Sequence, residues 1–555
     1  MAIQTAGPEI SYRIPDRMDR ITASRARSAI VLVVLALLAF LPGFFQIPPI
    51  DRDEARYAQA TRQMMETGNY LDIRFQETPR YLQPVGIYWL QAAAAKITGF
   101  DARAPIWVHR LPSLLGAIAA VGLTYWAMLA IVGSTGAFIA ALFMASSVLL
   151  GMEARLAKTD AVLLATTIGA MGVLARAYLG QALSSATAMM FWVALAAGML
   201  VKGPLILLVV GSTTLALLAW DRSLAWFKAL RPKLGIWLFL ALILPWFVAI
   251  AIVSGGEFFI TAIGHSMLGK VAAGQQGHGF PPGYYLLLFW LTFAPAALFT
   301  IVAAPWVWKN RNEPAVRFCL AWIIPTWIIF ELIVTKLPHY VLPTYPAIAG
   351  LIALAMLNGR QLGPLLAWTL VAGAVLLVAA IAAALYVVAG TVSIAAIAVS
   401  LAAVAILAWG VQRRQSISPA TFAATIAIGA IMVQGAALGL VAPKMDNLWL
   451  SPRLAAAVAR NAPCGTPQVV SADYHQPSLV FMVGTNTILG FPPDAAKFLA
   501  SGGCRLALIT ERSEQAFLAE LAKLGRTAEL AERVNGMNLG KFGRESVGVY
   551  RLRAS

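Results

Sequence analysis

The sequence is short of charge, short of acid and nearly without cysteine. Charged residues are 12% of the 555 positions, where a soluble protein carries about 25%. Hydrophobic residues are 59%, against about 45–50%. A water-soluble core cannot absorb that excess, which excludes the three or four soluble domains that length alone suggests. Asp and Glu number 25 against 42 Lys and Arg, a formal net charge of +17. In a soluble protein that imbalance points to nucleic acid. Here basic loops on one side of a membrane, together with an anionic ligand, account for it, and no nucleic-acid partner is expected. Three cysteines exclude a disulfide framework and leave room for one bridge.

What is present is a succession of apolar runs near the roughly 20 residues that a spanning helix needs. They occupy 28–46, 105–131, 135–152, 159–178, 186–201, 203–220, 234–254, 284–308, 316–335, 339–357, 363–389, 391–411 and 419–441, about thirteen spans. The stretch 85–98 is too short to span and reads as an interfacial helix. Arg13, Arg17, Arg20, Arg25 and Arg27 precede the first run. With alternating spans, Arg222, Lys228, Arg231, Lys233, Lys309, Arg311, Arg317, Arg360, Arg413 and Arg414 fall on that same side, which the distribution of positive charge marks as cytoplasmic. The first run lacks a small-residue cleavage site and reads as a retained anchor.

The expected organisation is therefore mainly α and polytopic. A basic cytoplasmic segment, 1–27, precedes a transmembrane domain, 28–445, and a C-terminal α/β domain, 446–555, follows on the outer side. In that last part 469–474, 504–510 and 545–552 read as strands, and 513–525 as a helix with apolar i, i+3, i+4 spacing. Cys464 and Cys504 both lie there and either pair or stay free. Cys319 reads as a plain buried thiol.

Polar residues foreign to a membrane fall almost entirely on the outer face. The first outer loop, 51–104, opens DRDEARYAQATRQMMETG, where Asp51 and Glu54 resemble a capping box and Gly68 a C-cap, predicting a helix over 52–67. Asp53 is in its first turn beside Arg52 and Arg56, with Tyr57 following. It either complements the helix dipole or serves as a catalytic carboxylate facing a headgroup. Glu153, Arg155, Lys158 and Asp160 crowd the next connection, as an ion-pair network or a cavity lining. Lys202 follows in the short connection LVKGPL, 200–205, where it can snorkel or bind an anion. The stretch 255–284 carries His265 and Lys270 and, at this length, reads as a mobile binding loop. Pro338, Pro343 and Pro346 then break an apolar run from which Lys336, His339, Tyr340 and Tyr345 project. Cations from five outer segments, with conspicuous acids, suit a phosphorylated lipid reacting at its headgroup.

The segments DRDEARYAQATRQMMETGNYLDIRF, ARLAKTDAVLLA and KLPHYVLPTYPAIA resemble the polyprenyl-phosphate-sugar-dependent GT-C glycosyltransferases, and among these the transferases that add aminoarabinose to lipid A. The likeness runs over about 30–360 and more weakly beyond. It implies a GT-C bundle with juxtamembrane helices and a periplasmic α/β domain. It also implies sugar transfer from an undecaprenyl-phosphate-type donor to lipid A or another periplasmic glycan, by a monomer among membrane lipids in a bacterial inner membrane. By motif, the family's loop acid falls on Asp53 and its second acid on Asp160. The phosphate-contacting tyrosine falls on Tyr345, the loop cation on Lys270 and the Lys-Gly-Pro lysine on Lys202. The family's Lys-Pro is here Gln83-Pro84, so Arg80 stands in for the missing lysine or Gln83 hydrogen-bonds the phosphate without charge. Some relatives bind zinc near this point; His265 and His475 are candidates, but Leu82 occupies the place of the expected Glu.

The resemblance implies an inverting single displacement, with cations stabilising the departing phosphate. Asp53 then orients the acceptor or acts as general base. Two other readings stand beside it: a protein O-mannosyltransferase-like enzyme and a flippase of lipid-linked sugar. No internal repeat of the kind common in transporters is visible.

Overall fold

The computed structural model describes residues 17–50, 52–269, 279–538 and 543–553; Asp51 and Lys270 lie outside them. In lipid each backbone N–H and C=O must be satisfied within its own segment, so the apolar runs become helices. Among the described residues nine helices are long and apolar enough to cross a membrane, and Tyr284–Thr292 with Ala296–Lys309, bent by 120°, makes a tenth. That bend falls where Pro295 removes a backbone donor. Helix Ile106–Ser146 is two of the expected runs joined at Gly133, whose φ of 72° and ψ of −179° are open to glycine. Helices Arg25–Phe40 and Leu205–Asp221 are shorter than a full span and complete the thirteen runs of the sequence.

The expected helix over 52–67 is Asp53–Thr67, closed by Gly68 in the left-handed conformation. Arg52 before it has φ 70°. A short hairpin follows, β1 (Arg74–Phe75) and β2 (Thr78–Pro79), paired Arg74 to Pro79 and Phe75 to Thr78. The interfacial helix is Gly86–Ile97. Its first residue meets the end of helix Ser185–Lys202 so closely that a Cβ on Gly86 would lie 2.7 Å from the Leu200 carbonyl oxygen. This contact sets where Lys202 emerges. The long outer stretch begins as a helical segment from Glu257 to Leu268. The proline-broken stretch is a 3-10 turn, Pro338–Thr344, leading into helix Tyr345–Leu357.

The C-terminal domain has a helix, Leu450–Arg460, and a five-stranded sheet of order β4-β3-β5-β7-β6. Its strands are β3 (Gln468–Ala472), β4 (Ile488–Gly490), β5 (Arg505–Thr510), β6 (Ala528–Asn538) and β7 (Gly543–Leu552). β3 pairs in parallel with β4 and β5, whereas β7 is antiparallel to β5 and β6. Side chains alternate across it: Val469, Leu506, Leu508 and Val549 pack with Leu454, while Val470, Ala472, Ala507 and Ile509 pack with Phe517 on the other face. The expected strand 469–474 stops at Ala472 because Asp473 turns the chain at φ 65°. Cys464 and Cys504 are bridged, with Cα atoms 5.8 Å apart, and Cys319 is a free buried thiol.

A methyl group at Gly86 has backbone, not a flexible side chain, in its way. Overpacking of this kind costs about 1–3 kcal/mol. Gly86→Ala should therefore lower the thermal unfolding midpoint of the detergent-solubilised protein by several degrees, read by intrinsic fluorescence.

Candidate active site

Asp53, Asp160, Lys202, His339 and Tyr340 come from four separate segments and meet at one end of the bundle. Asp160 begins helix Asp160–Tyr178 and Lys202 ends helix Ser185–Lys202, so the two antiparallel helices bring the charges together. They form a buried ion pair. Lys158 Nζ stands 3.2 Å from Glu153 Oε1 and 3.6 Å from Asp160 Oδ2. His339 bridges the same two acids, its Nδ1 at 3.5 Å from Glu153 and its Nε2 at 3.4 Å from Asp160. The Lys202 ammonium lies 5.8 Å from the centre of the Tyr340 ring. Burial raises the Glu153 carboxyl above the ordinary carboxylate range, and the Asp160 charge adds to this while Lys158 and Lys202 oppose it.

Beside this closed network sits an open one. The Asp53 side chain is 51% exposed and lies 3.7 Å from Arg56 Nη1. It is within electrostatic reach of Arg80, Lys158 and Tyr340. The Arg80 guanidinium is buried over the Tyr57 ring at 5.0 Å and hydrogen-bonds with Tyr88. Tyr57 donates its hydroxyl hydrogen to Gln83 Oε1. Burial, with Tyr88 beside it, pushes the Tyr57 hydroxyl well above its usual pKa and keeps it a donor. Arg56, Tyr57 and Arg80 thus lie within electrostatic reach of Asp53, and Gln83 is held by Tyr57.

Other expected residues are elsewhere. Tyr345 is fully buried, hydrogen-bonded through its hydroxyl to Thr292 Oγ1 at 2.6 Å, with its ring 4.6 Å from that of Phe293. The nearby tyrosine that faces the charges is Tyr340. Arg155 donates to the carbonyls of Ala39 at 2.5 Å, Pro42 at 2.7 Å and Gly151. It caps the end of helix Arg25–Phe40, whose last carbonyls lack partners of their own, and is taken up there. Lys336 donates to the Ile333 carbonyl in its own connection. Lys270 and the His265 side chain lie outside the described residues. His475 meets the Gly490 carbonyl at 2.8 Å inside the C-terminal domain, so its Nε2 is not free for zinc.

Among the described residues Glu153, Asp160 and His339 offer ligand atoms within 4.8 Å of one another. The donor set does not suit a divalent cation, because the Lys158 and Lys202 ammonium groups already neutralise both carboxylates. The cluster reads as an ion-pair network that positions cations.

Glu54, expected only as a capping-box acid, and Arg110, for which no role was expected from the sequence, hold the site in place. Arg110 donates from Nε to Glu54 Oε1 at 2.7 Å and from Nη2 to Oε2 at 3.0 Å. It also donates to the carbonyls of Phe44, Ile47 and Pro48 at 3.0, 2.7 and 3.0 Å. Glu54 accepts further from the backbone N–H of Ile50 at 2.8 Å and of Ala157 at 2.9 Å. The available signal was an arginine inside an apolar run, which calls for a partner.

In sequence and in fold the chain is similar to known proteins. A family model described as dolichyl-phosphate-mannose-protein mannosyltransferase matches residues 82–248. The chain is 26% identical over 354 residues to the undecaprenyl phosphate-alpha-4-amino-4-deoxy-L-arabinose arabinosyl transferase of Pseudomonas savastanoi pv. phaseolicola, covering 61% of this chain and 63% of that protein. It is likewise 26% identical over 338 residues to the protein of that name from Edwardsiella ictaluri, covering 58% of each. The match thus spans about three-fifths of the length of these curated relatives. The crystal structure of ArnT from Cupriavidus metallidurans bound to undecaprenyl phosphate superposes with a TM-score of 0.75 at 17% identity, over 95% of this chain and 98% of that one.

Truncating one partner of the fully buried pair strands the other charge, at about 3–5 kcal/mol. Glu54→Ala should therefore abolish recovery of folded protein or lower its unfolding midpoint steeply, as size exclusion and thermal scans would read. Arg110→Lys should not restore it, because an ammonium cannot make the forked contact. The chain thus shares its multi-spanning fold with the ArnT structure from Cupriavidus metallidurans and is similar in sequence to the arabinosyl transferases over about three-fifths of its length.

Proposed function

We propose that this chain is a membrane glycosyltransferase that takes a sugar from an undecaprenyl-phosphate-type donor and moves it to lipid A or another periplasmic glycan. The relatives' shared name makes 4-amino-4-deoxy-L-arabinose the first sugar to test. In this reading the site and the C-terminal domain face the periplasm from a bacterial inner membrane, because the basic loops lie at the opposite helix ends.

The observation that carries the proposal is an accessible carboxylate, Asp53, beside a set of held cations, Lys158, Lys202 and Arg80. As the bond from the anomeric carbon to the phosphate breaks, negative charge grows on the phosphate oxygens. Prearranged cations stabilise it without reorganisation, the larger contribution to rate. The Tyr340 hydroxyl, next to Lys202, donates to the same phosphate. Asp53 takes the proton of a hydroxyl acceptor, an effect of about 10²–10⁴ in rate, or orients an acceptor that is already ionised. One displacement inverts the sugar. The mannosyltransferase description of the matching family model supports a second reading, transfer to protein Ser or Thr on the same site.

The test is transfer by purified protein from undecaprenyl phosphate-aminoarabinose to lipid A and, in parallel, to a Ser/Thr peptide, read by mass spectrometry. Label on lipid A supports the first reading, label on peptide the second, and label on neither overturns both. Asp53→Asn should lower transfer by about 100-fold or more with folding unchanged. Tyr340→Phe should raise the donor KM, and Tyr345→Phe should leave it within about twofold, since its hydroxyl is engaged by Thr292.

A further inference from the structure

The C-terminal domain reaches the site through one turn. Phe481–Thr487, the last residues of helix Pro477–Val483 and the turn that leads to β4, docks on helix Asp53–Thr67 and on the β1–β2 hairpin. Arg62 donates to the Phe481 carbonyl at 2.5 Å and stands over the Phe481 ring at 5.7 Å, while His109 meets the other side of that ring edge-on at 5.5 Å. Thr485 Oγ1 accepts from Gln59 Nε2 at 2.8 Å and donates to Glu66 Oε2 at 2.6 Å.

The hairpin tie is more specific. Gln76 Nε2 donates to two carbonyls of the turn, Thr485 at 2.9 Å and Thr487 at 2.5 Å. Gln63 binds the backbone of the same residue from the helix side, accepting from Gln76 N–H at 2.8 Å and donating to its carbonyl at 2.7 Å. Gln76 itself sits at φ 54°, a backbone conformation rare outside glycine, asparagine and aspartate. A residue held there against its preference by contacts from two other elements, the juxtamembrane helix and the turn, marks a fixed point. Four residues later the chain delivers Arg80, whose own N–H donates to the Ile73 carbonyl at 2.7 Å across the base of the hairpin. Arg80 is buried, and its Nε has no hydrogen-bond partner.

We propose that Gln76 is a positioning residue through which the turn Phe481–Thr487 of the C-terminal domain sets the place of the Arg80 guanidinium. The domain is then a working part of the donor end of the site. This rests on the glycosyltransferase reading, in which Arg80 meets the donor phosphate. A guanidinium that recognises an anion by fixed geometry loses affinity when its base is free to shift.

The experiment uses the full-length protein and undecaprenyl phosphate-aminoarabinose. Gln76→Asn keeps an amide and a residue type tolerant of positive φ, but shortens the reach to the two carbonyls by one methylene. It should raise the donor KM at least about fivefold, leave kcat within about twofold, and leave the unfolding midpoint nearly in place. Combined with Arg80→Ala it should add less than about twofold, since both act on one group. Thr485→Val removes the side-chain bonds and keeps the carbonyls, and should disturb the donor KM less than Gln76→Asn. Should Gln76→Asn not fold, the turn is tested from its other side. Gly484→Ala, strained at the φ of 147° that Gly484 holds but with open space for its methyl group, shifts the turn without touching the transmembrane part and should then raise the donor KM alone. An unchanged donor KM, or full additivity with Arg80→Ala, would overturn the proposal. Wild-type protein that transfers no sugar would instead overturn the reading on which it rests.

Discussion

Everything at the membrane face hangs on the pairing of Glu54 with Arg110. Neither side chain meets water, so two desolvated charges must be compensated wholly by protein groups. They are: both carboxylate oxygens and all three guanidinium nitrogens have partners, drawn from the loop after the first helix, the juxtamembrane helix, helix Ile106–Ser146 and the connection before Asp160. A buried polar network satisfied to this extent is rigid and specifies one arrangement. Since Asp53 is the next residue to Glu54, inward commitment of one acid fixes the outward presentation of the other. The open carboxylate is held at its spot by its neighbour.

The two acids at the centre differ in surroundings, and this divides their work. Asp160 is buried against two ammonium groups and a histidine. It organises cations. Asp53 is half-exposed with one loosely placed arginine, and can meet a molecule arriving from outside. Arg80 and Tyr57 form a third wall, carried on the hairpin and helix that the C-terminal domain grips. A domain distant in sequence is thereby tied to the helix that begins at Asp53 and to the hairpin that precedes Arg80.

Much of this was legible in the sequence, because the strongest signals are those of the membrane itself. The apolar runs are helical, two of them joined at Gly133 and one bent by 120° near Pro295, and Asp160, Lys202 and His339 come together at one end. The juxtamembrane helix was readable from its glycine stop, whereas the expected capping box is not what starts it: Arg52 is its N-cap without a side-chain bond, and Glu54 turns to Arg110. What escaped was mostly matters of partner choice. Arg155 resembled a site cation, but the carbonyls at the end of helix Arg25–Phe40 claim it. Tyr345 and Tyr340 are five residues apart in one proline-rich stretch. Which of them faces the charges depends on the 3-10 turn from Pro338, whose period differs from that of an α-helix. Strands β4 and β6 were missed because β4 is three residues long and β6 is rich in charge.

The pairing of Lys158 and Lys202 with Glu153 and Asp160 has a consequence for turnover. An incoming anion does not find bare ammonium groups; it enters by exchange, drawing cations partly away from carboxylates that remain in contact. Capture is weaker than the same lysines would give alone, and departure is correspondingly easier, since the carboxylates reclaim their partners as the anion leaves. Under the proposed function, the carboxylates of Glu153 and Asp160 would help displace a spent lipid phosphate by taking back the two lysines.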